Sequence, residues 1–367
     1  MSMAVYSLPL ASRQTRPRKG IMKKEKATIH DIARKLNITA STVSRALKDH
    51  PRISAETKKA VLKAAQKLNY QPNHIAAALR NGKSNIIGII VPTADRSFFS
   101  SVIRGIEEIA NASRYHVLIC QTYDQYEKEV ATVEALLNAR VDGIIASFAK
   151  ETINFDHFRK IKERGIPLIL FDRSNDELEV SHVVIDDYLG AYKATEHLIR
   201  QGCQHVAHFT SIGKLSIYKD RLRGYREALA NNNIPYNDEL VIESNLQVDD
   251  GRASMLKLLN GKTKPDGVFS ASAFGAMGAM LTLKEKNIRI PHDIALVGFS
   301  NETFTSYTDP ALSTVEQHSM RIGNAAAEIF LEEIGAEDKK FIPQKIVLKP
   351  ELIIRESSLL KPLTVQS

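Results

Sequence analysis

The chain has 367 residues, 43% of them hydrophobic, which is enough for a substantial core and more than one domain. Its only two cysteines, Cys120 and Cys203, lie far apart in apolar segments, and no apolar run approaches the roughly 20 residues that cross a bilayer; a disulfide scaffold and a membrane protein are both excluded. Charge is unevenly placed: residues 1–85 carry 18 Lys and Arg against 4 Asp and Glu, whereas residues 86–367 carry 32 against 38, so a basic head precedes an acidic body.

Residues 1–26 read as a disordered basic tail. Met22, which opens MKKEKATIHDIA, is an alternative start. The N-terminus lacks the apolar core and cleavage site of a secretory signal, so the expected compartment is the cytoplasm.

Residues 28–47, TIHDIARKLNITASTVSRAL, predict two short helices around a tight turn. Ile29, Ile32, Ala33 and Leu36 follow the spacing of one buried helical face. Thr28 can cap the first helix, Asn37 tolerates a left-handed turn, and Thr39 can cap the second helix. There Val43 and Leu47 point inward, leaving Ala40, Ser41, Ser44 and Arg45 outward. This is the pattern of a helix-turn-helix, whose second helix enters the DNA major groove. Periodicity alone fits an ordinary surface hairpin of helices equally well, and it is the coincidence with the basic head that favours DNA. A third helix at 54–68, capped by Ser54 and with Glu56 at its positive end, is expected to close a small core through Val61, Leu62, Ala65 and Leu68.

In NYQPN (69–73), Pro72 disfavours helix at Gln71 and Asn73 can cap the short helix HIAAALRN, which is too short to be stable alone in water. From residue 86 apolar runs at 86–91, 116–120, 142–146, 167–171, 182–185, 205–209, 266–270 and 294–299 alternate with helical patterns, for example at 98–112, 187–201, 220–231, 274–287 and 318–334. Such alternation indicates parallel sheets covered on both faces, and this many units predicts two Rossmann-like subdomains. LLNARVDGII (136–145) and LLNGKTKPDGVF (258–269) resemble each other, a hint of two similar halves that chance explains nearly as well.

Catalytic motifs are missing. There is no GxxxxGK[ST], no GxGxxG after a strand, no HExxH and no GxSxG. His205 and His208, three apart on a predicted strand, face opposite sides, and no His/Cys cluster has zinc spacing. Asp186 and Asp187, at a strand–helix junction, read as a cap and a solvated face. The chain is therefore expected to be no enzyme and to use no metal or cofactor.

TVSRAL (42–47), NYQPN, LFDR (170–173) and RLRGY (221–225), in this order, closely resemble the LacI/GalR family of bacterial transcription regulators over roughly residues 27–357. The resemblance implies a helix-turn-helix domain at 27–72, a hinge helix and linker at 73–84, an effector-binding and dimerisation body of the type I periplasmic-binding-protein fold at 85–357, and a tail at 358–367. The body would divide roughly into 85–186 plus 318–345, and 187–317. Thr39, Ala40, Ser41, Thr42, Ser44 and Arg45 would contact DNA; Arg45 can bond a guanine or clamp a phosphate. In the hinge, Asn73, Ala76 and Leu79 would make the second contact, with Leu79 as the minor-groove wedge. Ala76-Ala77 stands where many members have Ala-Arg. A palindromic operator requires two copies, hence a homodimer, with helix 98–112 as one candidate interface.

The resemblance places Phe98, Phe99, Asp172, Arg221, Leu246, Ser272, Ser300 and Asn301 at the effector cleft. Two departures remove carboxylates: Ser272-Ala273 replaces a frequent Asn-Asp, and Gly298-Phe299-Ser300 a frequent Gly-Phe-Asp. The expected effector is a sugar or sugar derivative. It is anionic or polar if Arg221, Ser300 and Asn301 hold it, and an ordinary sugar if Asp172, Asp186 or Asp187 compensates. The expected function is that of an operator-binding regulator, in all expectation a repressor, controlled by that ligand. The competing classes are a sugar-binding receptor without gene regulation, which has no use for a basic head, and a non-specific DNA-bending protein, which has no use for the body.

Overall fold

A computed structural model describes residues 27–70, 83–211, 215–336 and 341–360. The expected basic tail, the hinge helix with Asn73, Ala76 and Leu79, and residues 361–367 lie outside the described residues. The chain divides into two compact units, Met1–Asn81 and Gly82–Ser367.

Among the described residues the first unit holds three helices, α1 (Ile29–Leu36), α2 (Ala40–Leu47) and α3 (Ala55–Lys67). Thr28 and Asp31 form a capping box at the start of α1, Asn37 ends it in the left-handed conformation at φ 54°, and the Thr39 and Ser54 hydroxyls accept from Thr42 N and Thr57 N, both at 3.2 Å. Each helix is thus started and stopped by its own local sequence. Ile32, Val43 and Val61 are fully buried where the three helices meet, joined by Ala33, Ala46, Ala64 and Ala65. The expectation for Leu62 was wrong: it is 53% exposed. The inward stripe of α3 runs through 61, 64, 65 and 68, the spacing a helix requires, and residue 62 falls about 100° off it. In α2, Ala46 is buried and Leu47 only half-buried.

Among the described residues the second unit contains twelve strands: β1 (Ile86–Val91), β2 (His116–Gln121), β3 (Gly143–Ala146), β4 (Leu168–Phe171), β5 (Ser181–Ile185), β6 (Val206–Ser211), β7 (Val241–Ser244), β8 (Gly267–Ser270), β9 (Ala295–Phe299), β10 (Ser313–Glu316), β11 (Lys345–Leu348) and β12 (Glu351–Ile353). Its helices are α4 (Ser97–Ala112), α5 (Tyr126–Ala139), α6 (Asp156–Glu163), α7 (Asp187–Gln201), α8 (Ser216–Asn231), α9 (Val248–Leu259), α10 (Ala273–Glu285) and α11 (Ser319–Gly335). Two six-stranded sheets result, in the orders β11-β5-β4-β3-β1-β2 and β12-β10-β9-β8-β6-β7. The two orders are the same, and the first five strands of each half repeat one topology. All pairings are parallel except β10 with β12. The central strands IIGIIV, GIIA, LILF and ALVGF are apolar throughout because helices cover both faces.

The chain crosses between the halves after β5, after β10 and after β11. The first half's late segment therefore extends to Leu348, beyond the expected limit at 345, because Lys345–Leu348 pairs in parallel with β5. Likewise Ser358, placed at the start of a tail, is fully buried and shares a hydrogen bond with Ser313 at 2.6 Å. In the first half α11 lies against α4. A Cβ on Gly105 would stand 2.3 Å from Met320 O, and one on Gly323 2.1 Å from Val102 O, so only glycine permits this approach.

Candidate DNA-reading helix and effector cleft

In α2 the Thr39 hydroxyl caps the helix and also bonds the hydroxyls of Ser41, at 2.8 Å, and Thr42, at 2.9 Å. This cluster fixes the first turn of the helix. Ser41 and Arg45 are exposed, while Ala40, Thr42 and Ser44 are half-buried. One face therefore presents a small apolar group, three hydroxyls and a guanidinium, a set able to bond base edges and phosphates.

In the body, the carboxyl ends of the strands of both halves meet at a cleft. A small cavity of about 40 Å³ is lined by Phe98, Phe99, Asp172, Arg221, Ser272 and Ser300, six of the residues expected there. It shares Asp172 and Ile217 with a wider opening of about 1300 Å³ that also reaches Lys150, Asp187, Lys219 and Lys345. Leu246 and Asn301 line neither cavity. Leu246 is packed in the apolar core of the second half, and Asn301 is spent internally, donating to Glu316 at 2.8 Å and accepting from Arg355 at 2.9 Å.

Asp172 follows β4 in the left-handed conformation, φ 59°, which turns its buried carboxylate into the cleft. Its nearest partners are distant: the Ser147 hydroxyl at 3.5 Å and Arg173 Nε at 3.8 Å. Arg173 Nε itself is buried and has no hydrogen-bond partner, although the same guanidinium donates through Nη1 to Asp124 and to Phe148 O. A buried donor without a hydrogen-bond partner thus stands beside a buried carboxylate whose bond from Ser147 is long. Burial pushes the Asp172 carboxyl up, against the pull of Arg173 and Arg221.

Arg221, on α8, is committed. Its Nε and Nη2 both lie 2.7 Å from Asp187 Oδ1, its Nη1 donates to Ala271 O at 2.7 Å, and its guanidinium stacks 3.6 Å from the centre of the Phe299 ring. Burial pushes the Asp187 carboxyl up to about 7, with Arg221 opposing the shift. Asp187 was expected to be a solvated face; instead it is buried, because α7 begins at the crossing between the halves.

Three residues that sequence reasoning missed bridge the cleft. Glu302, after β9, is buried and accepts from Ser97 N at 2.8 Å and from the Ser97 hydroxyl. Arg96 donates to Gln247 at 3.1 Å, and Lys150 Nζ to Asn245 O at 3.0 Å. No local pattern marks these residues, since each partner is about a hundred or more positions away. His208, weighed as a metal ligand, is buried and stacked between Tyr225 and Phe269, and burial drives its imidazole down to about 3.

Comparison with known proteins finds two families. A model for bacterial regulatory proteins of the lacI family matches residues 28–73, and one for a periplasmic binding protein-like domain matches residues 195–358. A ribose operon repressor of Halalkalibacterium halodurans is 30% identical over 331 residues, covering 90% of this chain and 97% of that protein. Among solved structures, a lac repressor dimer bound to operator and an anti-inducer matches with a TM-score of 0.80 at 23% identity, over 91% of this chain and 100% of that one. A complex of the transcriptional regulator CelR with cellobiose matches with a TM-score of 0.69 at 25% identity, over 90% of this chain and 100% of that one.

Proposed function

Because the chain belongs to the LacI family of bacterial regulatory proteins, we propose that it is a repressor that reads a palindromic operator as a homodimer and answers to a neutral polyhydroxylated ligand, a sugar, in the cleft of its body. The observation that carries the ligand class is the pair of Asp172 and Arg173 Nε, 3.8 Å apart among the residues lining the small cavity, with Nε lacking a hydrogen-bond partner and Asp172 holding a long bond from Ser147. A hydroxyl group donates one hydrogen bond and accepts another, so one sugar hydroxyl satisfies both. An anion would instead seek Arg221, whose donors are already taken by Asp187 and Ala271 O. Phe98 and Phe99 offer apolar ring surface beside the pair. The related proteins that act on a ribose operon or bind cellobiose agree with this class.

For DNA, affinity would come from the basic head and specificity from Ser41 and Arg45, with Asn73, Ala76 and Leu79 as the second element. The dimer would use the apolar groups that the edge strand β2 leaves exposed, Leu118 and Ile119, beside α4. Binding of ligand changes operator affinity only through a difference in its affinity for the two arrangements of the halves. On this reading the protein is a regulator rather than an enzyme, and it works where the DNA is, in the cytoplasm. The test is calorimetric titration of the purified chain with neutral pentoses, hexoses and disaccharides, and with their phosphates. A free sugar that binds, and that loses its affinity in Asp172→Ala, is the expected result; binding confined to a sugar phosphate would overturn the assignment.

A further inference from the structure

The DNA-binding unit is joined to the body through the segment that leads into β1, and one carboxylate holds the body end of that segment. Ser84 N and the Ser84 hydroxyl donate to Asp142 Oδ1 at 2.8 and 2.9 Å, and Asn85 N donates to Asp142 Oδ2 at 2.8 Å. Asp142 N returns a bond to Ile86 O at 2.8 Å, and Asn85 O accepts from His116 N at 2.9 Å. Asn85 is in the left-handed conformation, φ 55°, so the chain turns sharply at the clasp before entering the sheet.

The second half contains the same device. Gln204 N and His205 N donate to Asp266 Oδ2 and Oδ1 at 2.7 and 2.8 Å, and Asp266 N donates to His205 O at 3.1 Å. Gly267 follows Asp266 as Gly143 follows Asp142, and both glycines open the third strand of their half. The difference lies in what the clasp holds. Asp266 ties α7 to its own sheet, whereas Asp142 ties down the residues that arrive from the other unit.

We infer that Asp142 is a positioning residue for operator binding, fixing residues 84–86 so that the connection to the DNA-binding unit starts from a rigid anchor on the β1–β3 sheet. The inference rests on the reading of residues 28–47 as a DNA reader. With the clasp broken, residues 83–85 are no longer held to the body, and ordering them on DNA costs conformational entropy. Asp266, its structural twin, supplies an internal control for mere loss of stability.

The experiment uses the full chain and the operator it selects from a random DNA pool. Anisotropy titrations compare the wild type with Asp142→Ala, Asp142→Asn and Asp266→Ala, at a temperature where circular dichroism shows all of them folded. Asp142→Ala should weaken operator binding about tenfold, Asp142→Asn should recover part of the loss, and Asp266→Ala should bind like the wild type even where its Tm falls as far. Equal operator affinities for the two alanine variants would overturn the inference. Should Asp142→Ala fail to fold, Ser84→Ala removes one of the three donors and should weaken binding about threefold; wild-type affinity there would equally overturn it. A wild-type chain that selects no sequence would defeat the DNA-reading assignment itself and the inference with it, a result distinct from the other two.

Discussion

Glu302 caps the helix that begins at Ser97, although the two residues belong to opposite halves of the body. Ser97 N donates to Glu302 Oε2 at 2.8 Å, and Thr303 N donates back to the Ser97 hydroxyl at 3.1 Å. Arg96, at the cap position itself, makes no side-chain bond to the helix, so the first turn of α4 takes its acceptor from across the cleft. The carboxylate therefore favours the arrangement of the halves in which Ser97 and Glu302 meet.

Glu302→Ala removes the two bonds that its carboxylate accepts, from Ser97 N and from the Ser97 hydroxyl. A buried hydrogen bond to a charged group contributes about 1.5–3 kcal/mol, enough to move a balanced equilibrium between open and closed forms more than tenfold. The ligand-free variant should show a larger radius of gyration in small-angle scattering than the wild type. Superimposable scattering curves would refute the latch.

Arg45 should matter for the operator in one of two distinguishable ways. As a base reader, Arg45→Ala costs about 1–3 kcal/mol and relaxes preference at one position of each half-site. As a phosphate clamp, the same change weakens binding to all sequences alike and reduces the salt slope by about 1. Titration of the selected operator and its single-position variants at two salt concentrations separates the cases, and an unchanged affinity in every titration would remove Arg45 from the interface.

Asp187 gives the fold a pH signature. Its folded pKa, raised by burial to about 7, lies above the unfolded value, so the folded state binds the extra proton. The stability this contributes is complete below about pH 4 and is lost as pH rises through 7. Asp187→Asn removes the titrating group, so its own effect on stability does not change with pH over this range. The Tm of the wild type relative to Asp187→Asn should therefore fall between pH 4 and 7; a constant difference over that range would contradict the assignment.

The helix-turn-helix was legible because each of its features is local. Caps at Thr28, Thr39 and Ser54 and the left-handed Asn37 act within a few residues, and the structure shows all four. The repeat LLNARVDGII and LLNGKTKPDGVF was a true signal, for its Asp-Gly pairs are the two clasps. The strands at 241–244, 313–316, 345–348 and 351–353, all but the second at sheet edges, were missed, since they are only three or four residues long and the outer ones alternate too briefly to stand out. Residues at the cleft fared according to their partners. Asp172 and Arg221 sit in recognisable motifs, whereas Glu302 looks like any loop glutamate until Ser97 is brought beside it. Asn301 was misplaced for the converse reason: Glu316 and Arg355, distant in sequence, hold its amide away from the cavity.

The threefold crossing between the halves also bears on how the chain is made. The first half is not a continuous stretch: β11 completes its sheet, and Phe330 of α11 packs where a Cβ on Gly143 would stand 2.2 Å away. During synthesis, then, residues 83–186 leave the ribosome with one sheet edge and one apolar face uncovered, and they stay so until some 150 further residues have followed. The second half, intervening in the chain, can gather its helices first. Truncation at any single point yields neither half alone, and the nascent first half is the form most in need of protection from aggregation.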